Sequence, residues 1–332
     1  MRADDPDVLI LRALLAEPNR FSSGEELASS LGVSRVAVWK RLENLRKKGF
    51  EIEAVKRKGY RLSALPFGLS ESGTIAQVPE PCRLLSLNLF EAAASTNEEV
   101  FRLLSANTPT PFACITKRQP GGKGRRGRTW SGDLEGNLYL SLGFRPNAIP
   151  RRMNLLPIWS GLRLCRRIST ITGLDLKLKW PNDLMIDGKK VAGMLAESTL
   201  ETDRITALVF GIGVNVNMSR EEFPAELRET ATALSAVSGN TYPLDALAAA
   251  AIEEIITAHD ECILGVDEDL LSDEWERFAC YLQKEVQIQI DDQTTHSGIM
   301  VGIDRSGSLL IRNKMGSLRS FRVGDVSLRS GV

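Results

Sequence analysis

The sequence predicts an α+β fold in three parts: an N-terminal winged helix-turn-helix, a central mixed αβ domain and a small C-terminal β-barrel. Apolar residues recur at helical spacing on both sides of a "LGVSR" turn near the start of the chain. Strand-like and helical patterns then interleave too irregularly for a doubly wound sheet. From Glu285 onward the pattern breaks into five short strands separated by turn residues.

The first helix is expected over residues 6–17, with Val8, Leu9, Leu11, Leu14 and Leu15 as its apolar positions and Pro18-Asn19 closing it. A second helix follows the Ser22-Ser23-Gly24 cap and runs to about Ser30. Gly32 suits the tight turn, and Ser34 can cap a third helix reaching about Lys48. Val38, Leu42 and Leu45 form the core seam of that helix, which leaves Arg35, Ala37, Trp39, Lys40 and Arg41 outward. Residues Glu51–Val55, the turn Lys56-Arg57-Lys58-Gly59 and Tyr60–Leu62 read as a two-stranded wing. Between Ser34 and Arg61 there are ten Lys or Arg against three Glu, the charge footprint of phosphate contacts. Ser34, Arg35, Ala37, Trp39, Lys40, Arg41, Lys56, Arg57 and Lys58 are the candidate DNA-binding residues. A basic helical module that binds protein is the alternative. Trp39 either contacts a base or sugar or packs on the wing.

The winged module is assigned to residues 1–63, a Pro- and Gly-containing connector to 64–70, the central domain to 71–282 and the barrel to 283–332. Central strands are expected at Phe112–Lys117, Asn137–Phe144, Leu176–Lys179, Val191–Glu201 and Ile205–Asn217. Helices are expected at about Thr96–Ser105, Arg151–Thr172, Leu244–Leu264 and Glu268–Ala279. The terminal strands are Val286–Ile290, Ile299–Ile303, Leu309–Arg312, Leu318–Val323 and Val326–Leu328.

With 332 residues, 43% hydrophobic and 25% charged, the composition is that of a soluble globular chain of two or three domains. Forty-two basic residues balance forty-two acidic ones, so nucleic-acid binding must come from a locally basic module. Five scattered cysteines without a C-x-x-C pair, and only two histidines, support neither a disulfide framework nor a zinc site. No signal peptide or membrane span is read, so a cytoplasmic setting without membrane partners is expected.

Two segments carry chemistry. Between Lys117 and Arg128 lie six basic residues and no acid, interleaved with Gly121, Gly122, Gly124 and Gly127. Glycines let backbone N–H groups approach an anion, and arginine forks match phosphate oxygens. The spacing is neither a Walker A loop nor a dinucleotide fingerprint. The second segment is "KWPNDLMIDGKKVAGMLAE", Lys179 to Glu197, in which Gly193 interrupts an apolar strand where another backbone or a ligand must come close.

Together with "STN" at Ser95–Asn97, "NLYLS" at Asn137–Ser141, "GIGVNVN" at Gly211–Asn217 and "VSLRS" at Val326–Ser330, these segments resemble the biotin protein ligase family in its bifunctional form that also represses the biotin operon. The likeness spans nearly the whole chain. It implies a catalytic domain of the class II synthetase-like biotin/lipoate ligase type and an SH3-like terminal barrel. It also implies that ATP and biotin react to give biotinyl-5'-AMP, with Mg2+ accompanying ATP through ligands that cannot be read from the sequence. The biotinyl group then passes to a lysine of a biotin carboxyl carrier protein, a subunit of acetyl-CoA carboxylase.

By the resemblance, Lys190, Arg125 and Asp183 are the catalytic candidates. Lys190 would hold the carboxylate and α-phosphate together, and Asp183 would orient the acceptor lysine or take its proton. Biotin would meet Ser95, Thr96, Asn97, Gln119, Gly122, Lys123, Gly124, Arg125, Trp130, Lys190 and Gly193. The nucleotide would meet Arg125, Arg126, Arg128, Asn182, Lys190, Asn215 and Arg329. The pattern departs at Lys123, where the family usually carries arginine and its bidentate fork, and at Ala94, where an acidic residue commonly precedes "STN". The adenylate is expected to act as corepressor by ordering the glycine-rich loop and favouring a homodimer that reads two half-sites of operator DNA. The rival readings are a transcription factor with a dead enzyme domain, a lipoate ligase, and an enzyme that uses the basic loop on nucleic acid.

Overall fold

A computed structural model describes the chain except Pro81, Arg83, Asp292 and residues 329–332. Arg329, expected from the sequence to contact the nucleotide, therefore lies outside the described residues.

The N-terminal module is built as its caps dictate. Helices α1 (Pro6–Ala16), α2 (Gly24–Leu31) and α3 (Arg35–Lys47) start on Asp5, Ser23 and Ser34, each side chain accepting a backbone N–H of the first turn. Ser23 and Glu26 cap each other reciprocally, and Gly32 ends α2 in the left-handed region at φ 64°. Val8, Leu11, Leu27, Val38, Leu42 and Leu45 are buried between the helices. The wing is the antiparallel pair β1 (Glu51–Val55) and β2 (Gly59–Ala64), with Tyr60 bridged to Ser22 so that the wing is tied to the start of α2.

Helix α4 (Glu71–Gln77) follows directly, in a segment for which the sequence pattern predicts no element, and packs against α1. Next come β3 (Ser86–Phe90), α5 (Thr96–Ser105), β4 (Phe112–Thr116), the short pair β5 (Gly122–Lys123) and β6 (Thr129–Trp130), and β7 (Leu138–Phe144). The expected helix 151–172 is split into α6 (Pro150–Met153) and α7 (Leu156–Thr172). Pro157 lacks the N–H that would continue α6, and it sits in the first turn of α7, where none is needed. Strands β8 (Lys177–Lys179), β9 (Asp183–Ile186), β10 (Lys189–Glu201) and β11 (Arg204–Val214), then helices α8 (Leu234–Ser238), α9 (Leu244–Leu264) and α10 (Glu268–Phe278), complete the central domain.

Seven of these strands form one sheet in the order β3-β4-β7-β11-β10-β9-β8, in which only β3 and β4 run parallel. Helices α7 and α9 pack together and against the sheet. The terminal strands β12 (Glu285–Gln289), β13 (Thr295–Ile303), β14 (Leu309–Arg312), β15 (Leu318–Phe321) and β16 (Asp325–Leu328) pair antiparallel in the order β15-β14-β13-β12-β16. Val286, Ile288, Met300, Leu309, Ile311 and Val326 are buried within this unit. It is fastened to the central domain where the Trp180 indole N–H donates to the Gly307 carbonyl at 2.9 Å.

The junction between the first two parts is polar and buried. Asp245 of α9, with no solvent exposure, accepts from the Ser70 amide (2.8 Å), the Ser70 hydroxyl (2.6 Å) and the Thr74 hydroxyl (2.7 Å). A Cβ on Gly73 would stand 2.2 Å from the same carboxylate, so glycine is required there. Burial outweighs the three donors and pushes the Asp245 carboxyl up to about 6 from its ordinary 3.8. The folded state thus holds this proton more tightly than the unfolded chain, and the associated stability is present below about pH 4 and lost as pH rises towards 6. Asp245→Asn removes the titration. Its stability relative to wild type should rise by on the order of 3 kcal/mol between pH 4 and pH 7. Thermal melting across that range checks this, and parallel pH profiles would contradict it.

Candidate active site and nucleic-acid surface

One cleft, of about 230 Å³, gathers most of the residues singled out from the central domain. Ser95, Thr96, Asn97, Gln119, Lys123, Gly124, Arg125, Arg128, Trp130, Asn182, Asp183, Lys190 and Gly193 all line it. Gly122 lies beside it, paired with Trp130 in the β5–β6 hairpin. Arg126 is turned away, donating to the Ile290 carbonyl at 2.6 Å. Asn215 lines an adjoining cavity of about 350 Å³ that shares Thr129, Trp130, Asp183, Lys190 and Leu227 with the first. The two chambers therefore meet at Trp130, Asp183 and Lys190.

A β-bulge aims Lys190. Residues 190 and 193, three apart on one strand, would ordinarily point to opposite faces of the sheet. The register between β9 and β10 slips between Lys190 and Ala192: Lys190 faces Met185, whereas Gly193 faces Asp183. That slip brings Lys190 onto the face of Asp183 and Gly193. Its Nζ lies 2.7 Å from Asp183 Oδ1 and over the Trp130 ring, 5.3 Å from the centroid. The Lys190 backbone is clamped from outside the sheet, donating to the Thr230 carbonyl (2.8 Å) and accepting from the Thr232 amide (2.9 Å).

Glycines make the floor. Gly193 and Gly213 are register partners on β10 and β11, and Trp130 lies across both. A Cβ would stand 2.9 Å from the Trp130 ring at Gly193 and 2.5 Å at Gly213. At Gly211 a Cβ would stand 2.2 Å from Asn97 Oδ1.

At the other end of the cleft, Gln119 Oε1 accepts from the Thr96 amide (2.8 Å) and lies 3.0 Å from the Thr96 hydroxyl. The Thr96 hydroxyl is 2.6 Å from that of Ser141, which in turn is 2.6 Å from Asn97 Oδ1. Asn97 Nδ2 donates to Glu197 at 2.6 Å. Ser95 caps α5 without a side-chain capping bond, which leaves its hydroxyl for the cleft.

The glycine-rich loop is held by carboxylates from distant parts of the chain. Lys123 Nζ pairs with Glu98 at 2.6 Å, and that hydrogen bond raises its pKa. Arg128 pairs with Asp325 of the terminal unit, and Arg126 lies 3.7 Å from the same carboxylate. Arg125 differs. Its Nη1 donates to Asn182 Oδ1 at 3.3 Å, while Asn182 Nδ2 donates to the Met194 carbonyl and so fixes the amide. Burial pushes the Arg125 guanidinium down from its ordinary range, and among the described residues no carboxylate pairs with it.

Ser141, Glu197, Gly211, Gly213 and Asp325 are not among the site residues expected from the sequence. The test that singles out Gly193, a glycine inside an apolar strand, applies equally to Gly211 and Gly213 in "GIGVNVN". Ser141 sits in "NLYLS" without a signal of its own. Nothing local marks Glu197 or Asp325, whose partners lie far away in sequence.

In the winged module, Arg35, Trp39 and Lys56-Arg57-Lys58 line a groove between α3 and the wing, joined by Val36, which has no charge or polar group to mark it in the sequence. Trp39 and Val36 are 51% and 63% exposed, so about half of the Trp39 surface stays open to the groove. Ser34 caps α3 through the Ala37 amide, Lys40 is exposed, and Arg41 is occupied by Asp7 of α1 at 2.9 Å.

Three family models match successive stretches of the chain. The biotin/lipoate A/B protein ligase family matches residues 89–215, an HTH domain matches 9–61, and the biotin protein ligase C terminal domain matches 281–329. The chain is 32% identical to the bifunctional ligase/repressor BirA of Bacillus subtilis over 315 residues, covering 93% of this chain and 94% of the relative. It is 31% identical to that of Escherichia coli over 341 residues, covering 98% of each. Among solved structures, the biotin protein ligase from Aquifex aeolicus in complex with biotin and ATP superposes with a TM-score of 0.59 at 29% identity, over 74% of this chain and 99% of that one.

The loop geometry has a direct test. Asp325→Ala removes the carboxylate that Arg126 and Arg128 share, so tryptic cleavage between Arg125 and Arg128 should accelerate several-fold at low salt. High salt should narrow the gap by loosening the wild-type loop. Equal cleavage rates at low salt would show that Asp325 does not hold the loop.

Proposed function

The chain belongs to the biotin protein ligase family in its bifunctional ligase/repressor form, and from that premise we propose that this cleft joins biotin to ATP and hands the biotinyl group to a carrier lysine. One observation carries the assignment of the site. Lys190 and Arg125 share a single cleft with the buried Thr96–Gln119 pair, so cations suited to a carboxylate and a phosphate face neutral hydrogen-bonding groups suited to a ureido ring.

In the first step a biotin carboxylate oxygen bonds to the α-phosphorus of ATP as the bond to pyrophosphate breaks. Both partners are anionic, so the protein must supply fixed positive charge where they meet. Lys190 gives up Asp183 for the carboxylate and phosphate oxygens. Arg125, which no carboxylate neutralises, grips the phosphate from the loop side. The adjoining chamber beside Asn215 takes the adenine ring, and Trp130 stands between the chambers over the shelf of Gly193 and Gly213. Magnesium would accompany the nucleotide and supply further positive charge at its phosphates.

In the second step the carrier's lysine amine attacks the acyl carbon and AMP leaves. That amine must shed a proton, and Asp183, released by Lys190, is the carboxylate next to the reacting atoms. The carrier is a biotin carboxyl carrier protein.

The winged module binds operator DNA through α3 and the wing. Arg35, Lys40, Lys56, Arg57 and Lys58 contact phosphates or bases, and Trp39 reaches the groove. Arg41 is a brace to α1 rather than a primary contact. Two modules reading two half-sites require a homodimer, which the adenylate favours by ordering the loop. No helix among the described residues is long and apolar enough to cross a membrane, and a protein acting on DNA and a carrier protein works in the cytoplasm.

Incubation with ATP, magnesium and labelled biotin should yield biotinyl-adenylate, and a carrier domain should become labelled when added. No adenylate and no labelled carrier would overturn the ligase reading of the site. Lys190→Ala should slow adenylate formation by roughly 100-fold or more, while Arg125→Ala should mainly speed loss of the adenylate.

The repressor half has its own measurement. Operator affinity at fixed salt should rise with biotin plus ATP, and Lys40→Ala or Arg57→Ala should each reduce the salt slope by about 1 per half-site, about 2 for the homodimer. Affinity indifferent to biotin plus ATP would break the proposed coupling.

A further inference from the structure

Two hydroxyl protons serve three contacts at the buried end of the cleft. Thr96 and Ser141 carry one proton each, yet the contacts Gln119–Thr96, Thr96–Ser141 and Ser141–Asn97 measure 3.0, 2.6 and 2.6 Å. Gln119 Oε1 and Asn97 Oδ1 are pure acceptors, so one of the three contacts has no proton.

Glu197 decides which. Its carboxylate only accepts, and at 2.6 Å it requires the NH2 end of the Asn97 amide, which turns Asn97 Oδ1 towards Ser141. Ser141 must then give its proton to Asn97. The short Thr96–Ser141 contact can be filled only by the Thr96 proton, so the longest contact, Thr96–Gln119, is the one left empty. Ser141, Thr96, Asn97 and Gln119 are all buried and line the cleft, so the missing donor has to come from whatever occupies the cleft.

We infer that Glu197 is a positioning residue that, through Asn97 and Ser141, sets Thr96 Oγ1 and Gln119 Oε1 as an acceptor pair and thereby selects a ligand whose head group offers an N–H. The inference rests on the biotin reading above and extends it to the choice of head group. A ureido ring donates N–H to such a pair. A dithiolane ring of the lipoyl kind has no donor and leaves both acceptors unsatisfied. Glu197 touches no ligand in this scheme. Its carboxylate acts through two side chains.

The test separates proton direction from packing. In the full-length protein, Glu197→Ala frees the Asn97 amide to turn over and donate to Ser141. The Ser141 proton then moves to Thr96 and the Thr96 proton to Gln119, so the acceptor pair is lost. The KM for biotin in adenylate formation should rise roughly tenfold, about the worth of one buried hydrogen bond, with the KM for ATP unmoved.

Asn97→Asp placed on Glu197→Ala supplies an acceptor-only side chain to Ser141. It should restore the KM for biotin towards wild type. An unchanged biotin KM in Glu197→Ala, an equal rise in both KM values, or no recovery in the double variant would overturn the inference. A wild-type protein that releases no pyrophosphate with biotin would instead sink the biotin reading itself.

Discussion

Six cations within the stretch Lys117–Arg128 cannot fold over a water-poor cleft unless carboxylates from elsewhere hold them. The chain provides these one at a time, from places the loop's own sequence does not show. Glu98 at the start of α5 takes Lys123, Asp325 at the start of β16 takes Arg128 and approaches Arg126, and Asp183 on β9 takes Lys190 beneath the loop. Arg125 alone among these cations has no carboxylate partner among the described residues, and it donates to the Asn182 side-chain oxygen instead. The positive charge of the site is therefore mostly paired with carboxylates, and one guanidinium is left without such a partner among the described residues. Under the proposed function, a ligand carrying a carboxylate and a phosphate would compete for these cations and release carboxylates on three elements. On that reading, loop order, terminal-unit docking and Asp183 availability would be coupled by exchange of ion-pair partners.

That exchange needs Lys190 and Asp183 to share a face, and the sheet arranges this by an irregularity. A regular β10 would turn Lys190 away from Gly193, and the extra residue at the bulge turns it back. The paired glycines on β10 and β11 then leave room for an indole where side chains would otherwise stand. The Trp130 Nε1 hydrogen is buried with no acceptor among the described residues, a cost of about 1–3 kcal/mol. An oxygen-bearing ligand, or movement of the ring, recovers it. The same residue that fills the shelf is therefore disposed to give way.

The parts of this fold visible in the sequence are those set by local rules. The caps Ser23 and Ser34, the turn at Gly32, the seam of α3 and the wing all follow from residues within a few positions of one another. The short α4 and edge strand β3 are not visible there, because their burial is set by α1, α9 and β4 rather than by their own periodicity. In the site, Lys190, Asp183, Arg125 and the Ser95–Asn97 segment are legible through motif and charge. Glu197, Ser141 and Asp325 are not, since each acts on a residue some forty to two hundred positions away. The bulge at Lys190 is equally silent, because a strand sequence reads the same with or without a slipped register.

The Asp245 joint bears on how the two activities communicate. Ser70 and Thr74 belong to the connector and α4, which follow the wing and pack on α1, whereas Asp245 opens α9, which packs on the catalytic sheet. Arg12 of α1 adds a second tie, donating to the Ile75 and Val78 carbonyls of the same segment. A joint made of several directional bonds to one buried carboxylate has few alternative arrangements, unlike an apolar contact that can slide. It ties the connector and α4 to α9, and α4 in turn packs on α1 of the winged module. A signal from the adenylate therefore does not have to pass through bending at this junction. In the proposed repressor it would act by bringing two chains together, which would place the control of DNA binding at the protein–protein surface.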